Sequence, residues 1–335
     1  MIPLLIGIPA VLAVLFQLIR NEKARGYVVY AGAGIIMLTT VIFIVRWITG
    51  GAHIWMLYPE TELIDHLMTA GDIFLMCLII YLSVKHGKVL PIILSVVQTA
   101  VVLHTEFTVE VKEGPHMMVD WLTILMCIII AFIGGFICIY TVGYMKGYHA
   151  HHKDVKDRQP FFFSMLFLFL AAMFGLVLSQ NLVWIYFFWE ITSVISFLMI
   201  GYTKTDEAVN NSFCALWMNL LGGLGFAVAI ALMANLHGTL QLLEVVNIGA
   251  LLPLMCLSLA GLTKSAQLPF STWLLGAMVA PTPSSALLHS ATMVKAGVYL
   301  LIRISPALEG NLVGIIVSSI GGLTFIMASM MAIAQ

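Results

Sequence analysis

Three ionisable side chains interrupt long apolar runs of this sequence. Glu190 sits in Phe187-Phe-Trp-Glu-Ile-Thr-Ser-Val194, Lys264 in Gly261-Leu-Thr-Lys-Ser-Ala-Gln-Leu-Pro269, and Lys295 in Met293-Val-Lys-Ala-Gly297. A charge at the centre of a bilayer costs roughly 2.5–3.5 kcal/mol on insertion scales, so groups kept there mark proton or ion pathways. A carboxyl alone in lipid takes up a proton, whereas a nearby ammonium keeps both groups charged. A glutamate–lysine pair can therefore move protons by changing its separation. The rival readings are structural: a neutral Glu190 bonded to a hydroxyl such as Ser193, and a Lys264 that snorkels to the membrane surface.

Two further features join this set. Pro269 follows Lys264 by five residues; proline removes a backbone donor and clashes with the preceding turn, so a helix is expected to break there. Broken membrane helices persist where freed carbonyls line a polar cavity. His289 precedes Lys295 by six residues. On a continuous helix the two project about 120° apart with about 9 Å of rise, so one helix could pass a proton between neighbours. Imidazole titrates near neutral pH, which suits such a relay.

The elements that must hold these residues are membrane helices. Of 335 residues, 61% are hydrophobic and 9% charged, against about 25% charged in a soluble domain. The formal net charge of −1 provides no basic field for nucleic acid. Spans need about 20 apolar residues, and eleven candidates emerge: Ile2–Ile19, Tyr27–Ile48, Leu67–Val84, Val89–His104, Met117–Tyr144, Pro160–Ser179, Leu182–Tyr202, Asn211–Leu236, Ile248–Met278, Ser284–Ile302 and Asn311–Ala334. The expected fold is an all-α polytopic transmembrane bundle of about eleven helices, with the ninth discontinuous near Pro269. The short pair within 67–104 either spans twice or forms a hairpin that leaves the later topology unchanged. Residues 1–116 are thus expected to carry two to four helices, and 117–335 the core bundle.

Loop charge orients the chain. One face gathers ten basic residues, Arg20, Lys23, Arg25, Lys85, Lys88, Lys146, Lys153, Lys156, Arg158 and Lys204; the other holds Arg46, Lys112 and Arg303. The positive-inside rule places the ten in the cytoplasm, the N-terminus outside and the C-terminus inside. The outer loops carry Glu60, Glu62, Asp65, Glu106, Glu110, Glu113, Glu244 and Glu309. The expected location is a prokaryotic inner membrane. The first segment lacks a basic leader region and a cleavage site, and reads as a retained helix.

Other residues read as scaffold. Cys77, Cys127, Cys138, Cys214 and Cys256 lie in apolar runs without a C-x-x-C pair, as small core residues. His149, His151 and His152 form a basic loop, and Asp120 caps a helix entrance beside His116. Gly222, Gly223 and Gly225 let helices approach closely. Asp72 is equally consistent with relay and with structure. No redox cofactor motif is present in the sequence, so no cofactor is expected in this chain.

The stretch Gly261–Leu274 (GLTKSAQLPFSTWL), followed by Ala280–Leu300 (APTPSSALLHSATMVKAGVYL), resembles the antiporter-like subunits of respiratory complex I, energy-converting membrane hydrogenases and Mrp-type cation/proton antiporters. Met117-Met-Val-Asp120, Gly143-Tyr-Met145 and Phe188-Trp-Glu190 fit the same family. The resemblance covers roughly residues 117–335. It implies that Glu190 pairs with Lys264 and that the hydrophilic axis continues through His289 and Lys295. It also implies proton translocation, or proton–sodium exchange, within a multisubunit complex whose iron–sulfur, flavin or nickel–iron centres sit in partner subunits. Relatives continue with a second bundle carrying another broken helix; a separate chain supplies that half, the sequence is part of a longer protein, or this is a reduced member of the family. A sodium/proton antiporter subunit and a structural half of a split subunit remain alternatives.

Overall fold

A computed structural model describes residues 1–58, 62–153 and 155–334; Glu60 and Gln335 lie outside the described residues. The chain runs α1 (Ile2–Leu18), α2 (Glu22–Thr49), β1 (Trp55–Leu57), α3 (Glu62–Lys85), α4 (Val89–Thr108) and β2 (Met117–Val119). Next come α5 (Trp121–Ile128), a π-helical turn (Ile129–Gly134), α6 (Gly135–His151), α7 (Gln159–Leu178), α8 (Leu182–Ile200) and α9 (Asp206–His237). The last part is α10 (Leu242–Ile248), α11 (Leu251–Lys264), α12 (Thr272–Gly276), α13 (Thr282–Ala286), a second π-helical turn (Leu287–Ala291), α14 (Met293–Leu308) and α15 (Leu312–Ala334).

Nine helical rods among the described residues are long and apolar enough to cross a membrane, and α1 and α11 are shorter apolar helices. The chain is a polytopic transmembrane helix bundle. The uncertain pair becomes two full rods, α3 and α4, of 24 and 20 residues. The difference from eleven full spans lies in α1 and α11. With 14 residues, α11 rises about 21 Å and ends inside a hydrocarbon layer about 30 Å thick.

Polar residues punctuate the rods. The Asn21 side chain accepts from Lys23 N and Ala24 N at the start of α2, and Asn181 accepts from Val183 N at the start of α8. Thr205 caps α9, and Gly238, at φ 64°, closes it in the left-handed conformation that glycine tolerates. Each cap satisfies an orphan backbone donor or acceptor at a rod end.

The connections sort onto two faces. On one, β1 pairs antiparallel with β2, with Trp55 opposite Val119, and bridges join Met117 to Ser179 and Asn181 to Gln241. On the other, Lys88 Nζ donates to Asn210 Oδ1, Arg25 Nη2 donates to Gln159 Oε1, and Arg158 donates to the Tyr202 carbonyl. The loops thus alternate between two faces of the bundle. Glu106, expected in a loop, instead lies on α4, and Glu62, Asp65 and Glu244 lie on α3 and α10. Glu62, Asp65 and Glu244 sit in the first turns of α3 and α10, where a carboxylate suits the helix N-terminus, whereas Glu106 lies near the C-terminal end of α4.

The core centres on α7 and α8, whose central windows are 83% buried, whereas α15 is almost bare. Helix α1 packs on α7, α4 on α9, and α11 on both α9 and α14. Gly297 makes the last contact close: a Cβ there would stand 2.5 Å from Gly261 O and 2.7 Å from Ser265 N. Both neighbours are backbone, so neither can rotate away. Gly297→Ala is expected to cost about 1–3 kcal/mol, read as a lower Tm of the purified protein. An unchanged Tm would show that α14 is free to shift.

Candidate functional site

Lys264 is the last residue of α11, and the helix stops at this lysine rather than at Pro269. Local bonds close the end: Ser265 N and Oγ both donate to Gly261 O, and Gln267 N donates to Leu262 O. Trp273 Nε1, from the start of α12, donates to Thr263 O at 3.0 Å and ties the two halves together. Pro269 lies within the intervening turn, after a cis peptide bond. A cation at a helix C-terminus faces the negative end of the helix dipole, which favours the ammonium there.

The Lys264 side chain does not snorkel. It is 0% exposed and crosses to α8, where Nζ donates to Trp189 O at 3.0 Å and Ser193 Oγ at 2.8 Å. It also lies 4.8 Å from the centroid of a Trp189 ring, within cation–π range. Ser193 is therefore a lysine ligand and does not bond Glu190.

Glu190 lies on the same turn of α8, 3% exposed. Its Oε2 accepts from Gln98 Nε2 of α4 at 2.9 Å. Its Oε1 and Gln98 Oε1 are both buried without a hydrogen-bond partner. A Cβ on Gly223 of α9 would lie 2.4 Å from the first and 2.7 Å from the second, so this glycine makes room for two converging oxygens. Gly222 likewise admits Thr263 of α11, whose Oγ1 would sit 2.0 Å from its Cβ. Glu190 and Lys264 lie within electrostatic reach of each other but form no salt bridge. The geometry is that of a separated pair whose members each hold other partners.

His289 and Lys295 occupy a second discontinuity. His289 lies in the π-helical turn, half-buried beside the Leu274 backbone, with Nε2 buried without a hydrogen-bond partner. Thr292 leaves helical geometry, at φ −142° and ψ −68°, and its Oγ1 donates to Leu287 O. The continuous-helix estimate of 120° and about 9 Å therefore does not hold, because the backbone is re-aimed between the two residues. Lys295 is half-buried on α14.

Asp120 caps α5 as expected, accepting from Thr123 N at 2.9 Å, and it also binds Arg303 of α14 through two guanidinium nitrogens. Burial alone would raise this carboxyl; hydrogen bonds from Arg303 and Thr123 outweigh it and hold Asp120 below the ordinary carboxylate value. Its stabilisation is then present above the unfolded value of about 3.9 and is lost as pH falls through the lower folded value. Arg303→Ala is expected to cost about 3 kcal/mol, the lower end for breaking a buried pair, since Asp120 retains some solvent contact. Tm against pH checks this: the wild type should lose stability below about pH 4 more steeply than the variant.

Residues 179–335 match the family described as NADH:quinone oxidoreductase/Mrp antiporter, transmembrane, and residues 114–154 match the N-terminus of chain 5 of NADH-ubiquinone oxidoreductase (complex I). A putative antiporter subunit, mnhA2, from Staphylococcus aureus is 37% identical over 229 residues, 65% of this chain and 28% of the relative. The chain belongs to the antiporter-like subunit family. A chain of the Mrp complex from Dietzia sp. DQ12-45-1b superposes with a TM-score of 0.54 and 27% identity, over 75% of this chain and 29% of that one. A chain of the membrane-bound sulfane sulfur reductase, an archaeal respiratory membrane complex, gives a TM-score of 0.68 at 17% identity, over 98% of this chain and 57% of that one; at that identity the likeness concerns the fold. The chain thus spans about 28% of the curated relatives it matches. Within this antiporter-like chain, Lys264 reaches the turn of α8 that bears Glu190, whereas His289 and Lys295 lie across the α13–α14 break. Gln98 and Gly223 were invisible as site residues in the sequence; the signals were a glutamine inside an apolar run and a Gly-Gly pair.

Proposed function

We propose that this chain moves protons through Glu190 and Lys264, and onward by His289 and Lys295, as a membrane subunit of a redox-driven multisubunit complex. The observation that carries the reading is Lys264 itself: a fully buried ammonium at a helix break, held by the turn that bears Glu190. When the glutamate approaches, the lysine's proton is held more tightly; when it withdraws, the proton is released toward the next acceptor. The partners are other membrane subunits of the complex and peripheral subunits carrying iron–sulfur, flavin or nickel–iron centres. The charge pattern supports an inner-membrane orientation with the N-terminus outside and the C-terminus cytoplasmic.

A sodium/proton antiporter subunit is the second reading, favoured by the mnhA2 and Mrp relatives. A structural half of a split subunit is the third. Purification of the native complex separates them. Co-purifying iron–sulfur or nickel centres with substrate-driven acidification of vesicles support the first. Only small membrane subunits, with sodium-dependent proton exchange, support the second. An assembled complex whose proton flux ignores Lys264→Ala would leave the structural reading.

A further inference from the structure

The helices α3 and α4 lie between the two strands of the β1–β2 pair and bring a set of carboxyls to the site. Asp65, Thr69 and Asp72 fall on one face of α3, being four and then three residues apart. Glu106 and Gln98 are eight apart on α4, which again places them on one face. At the β1–β2 face, a cleft of about 1080 Å³ is lined by Asp65, Thr69, Glu106, His116, Trp184 and Gln241 among others. Within it, Thr69 Oγ1 donates to Glu106 Oε2 at 3.4 Å, and Trp184 Nε1 donates to Asp65 Oδ1 at 2.7 Å.

Asp72 lies deeper, 6% exposed, within electrostatic reach of both Glu106 and Glu190. Gly71 sets that depth: a Cβ there would meet the Phe187 ring of α8 at 2.6 Å, so α3 packs directly on the helix bearing Glu190. Tyr186, one turn before Glu190 and buried, lies within electrostatic reach of all three carboxyls. At the inner end, Glu190 Oε1 and Gln98 Oε1 converge, both buried and both without a partner.

We propose that the α3–α4 pair is a proton inlet, in which Glu106 and Asp72 carry protons from the cleft to Glu190. A hydronium ion in the cleft gives its proton to the Glu106 carboxylate and leaves as water. The proton passes to Asp72, then to the free Oε1 of Glu190, and Lys264 receives it from there. Each transfer restores the donor carboxylate for the next. Tyr186 and Gln98 orient the groups and neither gains nor loses a proton overall. The cleft opens on the β1–β2 face, which the charge pattern places outside, so the inlet rests on the reading of Lys264 as a proton carrier in sodium/proton exchange, where protons enter from that side; it assigns a function to two helices that the resemblance over residues 117–335 leaves out.

The test uses the native complex in membrane vesicles, with proton flux followed by a pH-sensitive dye and assembly by co-purification. Asp72→Asn and Glu106→Gln are each expected to slow flux roughly tenfold or more, and Asp72→Glu to recover most of it. Wild-type flux in both amide variants, alongside loss in Lys264→Ala, overturns the inlet and leaves the role of Lys264 intact. Wild-type flux in Lys264→Ala removes both. Should Asp72→Asn fail to assemble, Glu106→Gln at the cleft decides, because an amide still accepts from Thr69; normal flux there overturns the inlet.

Discussion

Replacing Lys264 with alanine is expected to reduce proton flux through the assembled complex by about 10²-fold or more. The lysine is fully buried and spans two helices, so no surface group can take its place. Lys264→Arg sharpens the result. Arginine keeps the positive charge and the capacity to donate to Trp189 O and Ser193 Oγ, but it does not give up its proton. A fixed charge that merely holds α11 to α8 would survive this exchange, whereas a proton carrier would not. Flux near zero in both variants, with unchanged co-purification, is the expected pattern. Normal flux in Lys264→Arg would reduce Lys264 to a strut.

Glu190→Gln is expected to have the second largest effect, a fall of roughly tenfold to a hundredfold. The amide fits the same space and can still accept from Gln98 Nε2, so the packing around Gly223 survives. What it removes is the negative charge that lets Lys264 hold a proton in a buried site. The variant should assemble normally and transport poorly, with residual flux rising as the medium is acidified, because a higher proton concentration compensates for weaker proton binding. Failure to assemble would instead make Glu190 part of the scaffold.

The central pair was legible in the sequence because a charge inside an apolar run is conspicuous and costly. Its geometry was not. Proline pointed to a break at residue 269, yet α11 stops at Lys264, where side-chain and turn hydrogen bonds close the last carbonyls earlier. Gln98 bonds Glu190 across 92 positions of sequence, and Arg303 reaches Asp120 across 183. No local pattern encodes such pairings; they exist only once α4 has packed on α9 and α14 has closed on α5. Asp72 is the instructive case. As a single aspartate in a short apolar run it fits a relay or a scaffold equally, and only the packing of Gly71 on Phe187 gives it a direction. The π-helical turn after α13 was also hidden, since Leu287–Ala291 contains no proline or glycine to mark a change of helix geometry.

The most direct test of the Glu190–Lys264 pair is a double-mutant cycle on proton flux, using Glu190→Gln, Lys264→Ala and both together in the assembled complex. If the glutamate acts by setting how Lys264 holds its proton, the double variant should transport no worse than Lys264→Ala alone, so the two losses are strongly non-additive. Losses that simply multiply would mean that the two residues act independently, and would contradict a shared switch.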